Sequence, residues 1–151
     1  MTTQQNTALD TLIGLTREAL DRATKLLANE RRTQEQVQQQ LNILNQYRLE
    51  YGRRLQQSLQ QGMDPASLLN YRAFLSSLDT AVLQANQALR SQQQKVDNQQ
   101  QQWREERRRL HSYDTLLERR RLADDLLAYK AEQKANDEYG MRANRNNNGF
   151  R

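Results

Sequence analysis

From Leu68 onward, stepping by seven lands almost always on an apolar residue. The series is Leu68, Leu75, Val82, Leu89, Val96, Trp103, Leu110, Leu117, Asp124 and Ala131, and nine of its ten members are apolar in a chain that is 36% hydrophobic. A seven-residue repeat sustained this far keeps one helical face on a partner helix and implies a left-handed supercoil. It also accounts for the one tryptophan, which stands in "VDNQQQQWREERRRL" (96–110) among glutamines and charges. Trp103 falls on the seam, and its polar neighbours fall on the wet faces. The complementary series has Tyr71, Leu78 and Ala85, then Gln92, Gln99 and Glu106, then Tyr113, Arg120 and Leu127.

The first half of the chain carries a similar stripe with more drift. Leu9, Leu12, Ile13, Ala19, Leu20, Ala23, Leu26 and Leu27 form its first part, and Val37, Leu41, Leu44, Tyr51, Leu55 and Leu59 its second. Glu30, Thr33 and Gln34 leave a polar gap between them. "TALD" (7–10) has the form of a capping box, which predicts a helix start at Thr7. Between the two periodic halves stands "QGMDP" (61–65), with the only proline in the chain. Gly62 suits a helix end, Asp64 caps the next helix, Pro65 takes its first position, and Met63 and Leu68 have the spacing of a hydrophobic staple.

The pattern therefore predicts an all-α chain: helices over about 7–60 and 65–135 joined by a turn at 61–64. At the rise of an α-helix these extend about 80 and 105 Å. A connection this short makes the helices antiparallel neighbours, with residue i facing roughly residue 124 − i. That pairing sets Leu20 near Trp103, Val37 near Leu89, and Glu30 and Thr33 near Gln94 and Ser91, so apolar meets apolar and polar meets polar. Residues 1–139 read as one coiled-coil domain. Residues beyond about 117 lack a partner helix, and 140–151 lack periodicity and read as a disordered tail.

Composition agrees with a coiled coil and argues against a globular core. Of 151 residues, 27% are charged and 22 are glutamine, with five glycines and no cysteine. A helix that buries one stripe needs no more apolar material than this. Without cysteine there is no disulfide framework and no thiolate nucleophile or metal ligand. No basic leader opens the sequence, and no run approaches the roughly 20 apolar residues of a membrane span. The reading is a cytoplasmic protein with no direct membrane insertion. The net charge of +5 is spread evenly: residues 1–75 hold 9 basic and 7 acidic groups, and 76–151 hold 14 and 11. Acids interrupt each arginine run, which weighs against a nucleic-acid partner.

No catalytic pattern is visible. His111 has no histidine or cysteine partner, and there is no phosphate loop, nucleophile elbow or metal-spaced cluster. The expectation is a non-enzyme without cofactor or small-molecule substrate, one that works through its surfaces. The runs "REERRRL" and "LERRRLADD" have two readings, intrahelical support through Glu105–Arg109 and Glu118–Arg121 or docking to an acidic surface. Near the turn, Ile43, Tyr47, Phe74 and Ala81 flank the seam and widen the apolar stripe beyond what two helices need. They either thicken the seam or form a partner-binding patch.

"LNILNQYRLEYGRRL" (41–55), "NYRAFLSSLDTAVLQ" (70–84) and "KVDNQQQQWREERRRL" (95–110) together resemble the flagellar FliJ family. The Tyr-x-x-x-Tyr pair, the Asn-Tyr-x-x-Phe opening of the second helix and the Lys-Val-Asp run into tryptophan stand in matching order over roughly residues 5–140. The resemblance implies a soluble, stalk-like antiparallel coiled coil of the type III export apparatus. Its implied partners are the hexameric export ATPase FliI, the export-gate protein FlhA and export chaperones, at a cytoplasmic location beside the inner-membrane apparatus. Carried over by position, the FlhA surface comprises Gln40, Leu44, Tyr47, Tyr51, Phe74, Leu78 and Ala81. The sequence departs from the family at Ala85, where a larger polar side chain is expected. The ATPase-facing end falls on the unpaired helix, with Arg119, Arg120, Arg121, Leu122, Leu126 and Leu127. A generic coiled-coil spacer, or the equivalent part of a virulence type III system, is the alternative.

Overall fold

A computed structural model describes residues 2–149, with the side chains of 2 and 3 left aside. Two helices account for nearly all of it: α1 (Thr2–Gln61) and α2 (Pro65–Asn148). The chain divides into two compact units. A turn unit is Ala19–Glu106, and a terminal unit joins Met1–Glu18 to Arg107–Arg151.

The link between the helices is built as its residues dictate. Gly62 has φ +88°, the left-handed conformation that closes a helix at least cost to glycine. The main-chain oxygen of Asp64 accepts from Leu68 N at 3.1 Å, the first bond of α2, so Asp64 stands at the cap and Pro65 at the first helical position. Met63 and Leu68 are both half-buried, as the staple requires.

In the turn unit the inward line of α2 alternates three and four apart through Leu68, Tyr71, Leu75, Leu78, Val82, Ala85, Leu89, Gln92, Val96, Gln99, Trp103 and Glu106, with half-buried Ser67, Ala81, Asn86 and Gln100 beside it. The inward line of α1 follows the same rhythm through Leu20, Ala23, Leu27, Glu30, Gln34, Val37, Leu41, Leu44, Tyr51, Leu55 and Ser58, interrupted by exposed Arg48, with half-buried Ala19 and Gly52 beside it. Contacts between the helices pair Thr24 with Trp103, Glu30 with Gln92, Arg48 with Asp79 and Tyr51 with Phe74. Each pair's numbers total between 122 and 127, close to the 124 expected of an antiparallel hairpin. In the terminal unit the same antiparallel order brings Arg17 to Asp114 and Gln5 to Arg120. Its seam runs through Asn6, Leu9, Ile13 and Thr16 on α1 and Leu110, Tyr113, Leu117 and Arg120 on α2. No described side chain is fully enclosed, because two helices cover only one face of each other.

Three expectations are corrected. Helix α1 begins at Thr2, so Thr7 is internal rather than a cap; its carbonyl accepts from the Thr11 hydroxyl at 2.9 Å. The drift assigned to the α1 stripe is not there. Leu12, Leu26 and Leu59 are exposed; the inward positions beside Leu12 belong to Ile13 and Thr16, and the buried Thr16 hydroxyl is satisfied by donating to Leu12 O at 2.8 Å. Finally, α2 continues through the stretch expected to be a disordered tail, as far as Asn148. Residues 150 and 151, also assigned to that tail, lie outside the described residues. Nothing in 135–148 terminates a helix apart from the mild cost of Gly140.

Candidate interaction surfaces

Two surfaces carry more exposed apolar side chain than helix pairing uses, one in each unit.

In the turn unit the seam widens into an aromatic cluster. Tyr51 sits inward, with its ring centroid 4.4 Å from that of Phe74 and 6.5 Å from that of Tyr71, both at tilted angles favourable to aromatic pairs. The Arg54 guanidinium lies over the Tyr51 ring, 5.4 Å from its centroid. Sides can be assigned from one ion pair. Arg48 and Asp79, 3.3 Å apart, close one flank of the seam. Stepping back one residue turns about 100° around a helix. Tyr47 therefore stands toward the other flank, as do Phe74 and Ala81 on α2. On that flank Tyr47 is 49% and Phe74 42% exposed, with Ile43 and Gln40 exposed beside them.

The seven residues expected on this surface thus divide. Gln40, Tyr47 and Phe74 are open, while Leu44, Tyr51 and Ala81 are half-buried at the seam edge. Leu78 is 7% exposed and belongs to the core. Ala85, where the family pattern leads to a larger polar side chain, is half-buried on the seam. The sequence reading did not place Tyr71 and Arg54 in this cluster. Their spacing, three residues before Phe74 and three after Tyr51, is the signal that finds them.

In the terminal unit the important fact is where α1 starts. Arg120 is half-buried, and its Nη1 donates to the main-chain oxygen of Gln5 at 3.2 Å. Asn6, Ala123 and Asp124 share a shallow groove with them. Beyond this point only the first residues of α1, from Thr2 to Gln4, remain, and every described position from Arg121 to Gly149 is exposed. Leu122, Leu126 and Leu127 are among them, Leu127 at 66%, with Arg119 and Arg121 exposed alongside. Tyr129 is equally open and was not picked out from sequence. It lies seven residues after Leu122, so Leu122, Leu126 and Tyr129 share one face while Leu127 turns away.

Other exposed apolar side chains, among them Leu15, Leu49, Leu69 and Leu83, lie scattered along both helices. His111 is exposed. Among the described residues no group of three or more His, Cys, Asp or Glu is arranged to hold a metal ion. Among the described residues no helix is long and apolar enough to cross a membrane.

The family model for the flagellar FliJ protein matches residues 5–149. The chain belongs to the flagellar FliJ family. It is 35% identical to the flagellar FliJ protein of Escherichia coli over 136 residues, spanning 90% of this chain and 92% of that one. It is 34% identical to the Salmonella typhi flagellar FliJ protein over 139 residues, spanning 92% and 95%. Among solved structures it is similar to a Chlamydia trachomatis protein described as a YscO homologue, with a TM-score of 0.51 and 18% identity over 88% of this chain and 90% of that one. At that identity the likeness bears on the fold alone. Membership of the FliJ family gives this chain a flagellar, export-related role.

Proposed function

We propose that this FliJ family member is a non-enzymatic, stalk-like export factor that joins the export ATPase FliI to the gate protein FlhA and meets export chaperones. It works in the cytoplasm, peripherally associated with the inner-membrane export apparatus. The ATPase is met by the exposed end of α2, through Arg119, Arg120, Arg121, Leu122, Leu126 and Leu127. FlhA is met by the aromatic flank of the turn unit, through Gln40, Leu44, Tyr47, Tyr51, Phe74 and Ala81. Leu78 supports that flank from behind.

The observation that carries this reading is the helix beyond Arg121. It keeps leucines and a tyrosine in water along a stretch that none of the chain's other described residues covers. Exposed apolar residues in such a row mark a surface that another protein covers. Basic residues at its start suit an acidic rim. The test uses the cognate ATPase. The full chain raises the rate of ATP hydrolysis and favours hexamers. A Leu122→Glu/Leu126→Glu variant, with unchanged helicity, leaves both at the level of the ATPase alone. Full stimulation by that variant overturns the assignment.

A further inference from the structure

Within the turn unit the inward line changes character between Leu27 and Val37 on α1 and between Leu89 and Trp103 on α2. Glu30 and Gln34 fill the α1 positions; Gln92 and Gln99 alternate with Val96 on α2. Gln92 is 6% exposed. Its Nε2 donates to the main-chain oxygen of Glu30 at 2.9 Å and also to the Glu30 carboxylate. Gln34 Nε2 donates across to Gln93 Oε1. One atom is left over: Gln99 Oε1 is buried without a hydrogen-bond partner in the structure.

These contacts differ in kind from those on either side. When two helices part, an apolar side chain loses its burial outright. A side-chain amide that bridges them exchanges its partner for water, which returns most of what the bond contributed. A buried acceptor with no partner gains one as soon as water arrives. Toward the turn the seam is held by Val37, Leu41, Leu78, Val82 and Leu89; toward the other end of the unit it is held by Ala23, Leu27 and Trp103. Between them only Val96 is an apolar anchor, buried at 5%.

We propose that this layer is a built-in opening point. The helices part locally about Glu30, Gln34, Gln92 and Gln99 and admit water, while the apolar stretches on both sides stay closed. The turn unit thereby has a place to bend or twist without unfolding.

Hydrogen exchange on the full-length protein tests this, because it resolves local opening from global unfolding. Amides of 30–36 and 91–100 exchange about tenfold faster than those of 20–27 and 78–85. A Glu30→Leu/Gln92→Leu/Gln99→Leu variant slows the first group by a similar factor and leaves the second unchanged. Should the triple change alter the assembly state, Gln99→Met alone removes the orphaned oxygen at nearly constant volume, and exchange over 95–103 slows. Protection that is uniform along the unit, or that falls steadily toward one end as in simple fraying, overturns the proposal. So does unchanged local exchange in the variants.

Discussion

The indole Nε1 of Trp103 donates to the hydroxyl of Thr24 at 2.9 Å, and that hydroxyl donates to the main-chain oxygen of Leu20 at 2.8 Å. A ring from α2 is thus tied to α1 by a bond that satisfies the polar edge of the indole while its face covers apolar surface. Leu27 and Ala28 of α1 line a groove beside it together with Gln100 and Arg31.

That arrangement separates two contributions of the tryptophan. Trp103→Phe keeps most of the buried ring and gives up the N–H bond, at a cost of about 1 kcal/mol. Trp103→Ala also gives up the ring and costs about 3 kcal/mol, the low end for an aromatic truncation, because the side chain is only half-buried. Urea denaturation followed by circular dichroism reads both. Equal losses in the two variants would show that the bond, not the ring, holds the helices here.

The same contrast applies to leucines in different settings. Leu78 faces α1 and is 7% exposed, whereas Leu126 stands in water. Leu78→Ala therefore costs about 3 kcal/mol. Leu126→Ala changes the unfolding free energy by no more than about 0.5 kcal/mol, as surface substitutions do. A large loss at Leu126 would mean that the end of α2 is covered within the protein's own assembly.

How much of this was legible beforehand depends on whether a helix has a partner. The α2 seam was readable from Leu68 to Leu117 because α1 lies opposite all of it and selects an apolar line. The antiparallel register followed from Gly62, Asp64 and Pro65. Leu12, Leu26 and Leu59 misled the reading of α1, since a leucine one step off the seam has the same hydropathy as one on it. The stretch after residue 139 misled in the opposite direction. Periodicity reports the presence of a partner, and a helix without one has none to show, although Ala135, Glu138 and Ala143 are ordinary helix residues. The Trp103–Thr24 bond lay beyond reach because a hydroxyl beside a seam has no hydropathic signature. The aromatic flank was located in outline, but Leu78 was counted in it by its position along the chain, and burial removes it from direct contact.

Two glycines respond oppositely to the same substitution. Gly62 has φ +88° and Gly52 is helical, and a Cβ at either meets nothing within 4 Å. Gly62→Ala must hold alanine in the left-handed region and loses about 1 kcal/mol. Gly52→Ala relieves the entropy cost of a helical glycine and gains about 1 kcal/mol. Thermal unfolding of the two variants should move the midpoint down and up respectively. A stabilising Gly62→Ala would show that the connection does not need its left-handed residue.

The aromatic flank makes the sharpest separation between packing and recognition. Tyr47 stands in solvent, and Phe74, though stacked on Tyr51, keeps 42% of its surface open. A Tyr47→Ala/Phe74→Ala variant loses one aromatic pair, worth about 1 kcal/mol, and keeps its helix content. If the flank is the FlhA-facing surface, that modest loss is accompanied by the disappearance of binding to the cytoplasmic part of FlhA, while stimulation of the ATPase through the far end of α2 persists. Arg48→Ala, on the opposite flank, serves as the matched control: it removes an exposed ion pair of little energetic weight and leaves FlhA binding intact. Calorimetric titration of the three proteins, with circular dichroism on each, distinguishes the cases. Retained affinity in the double variant, or an equal loss in Arg48→Ala, would mean that the exposed rings only thicken the seam and that FlhA is met elsewhere.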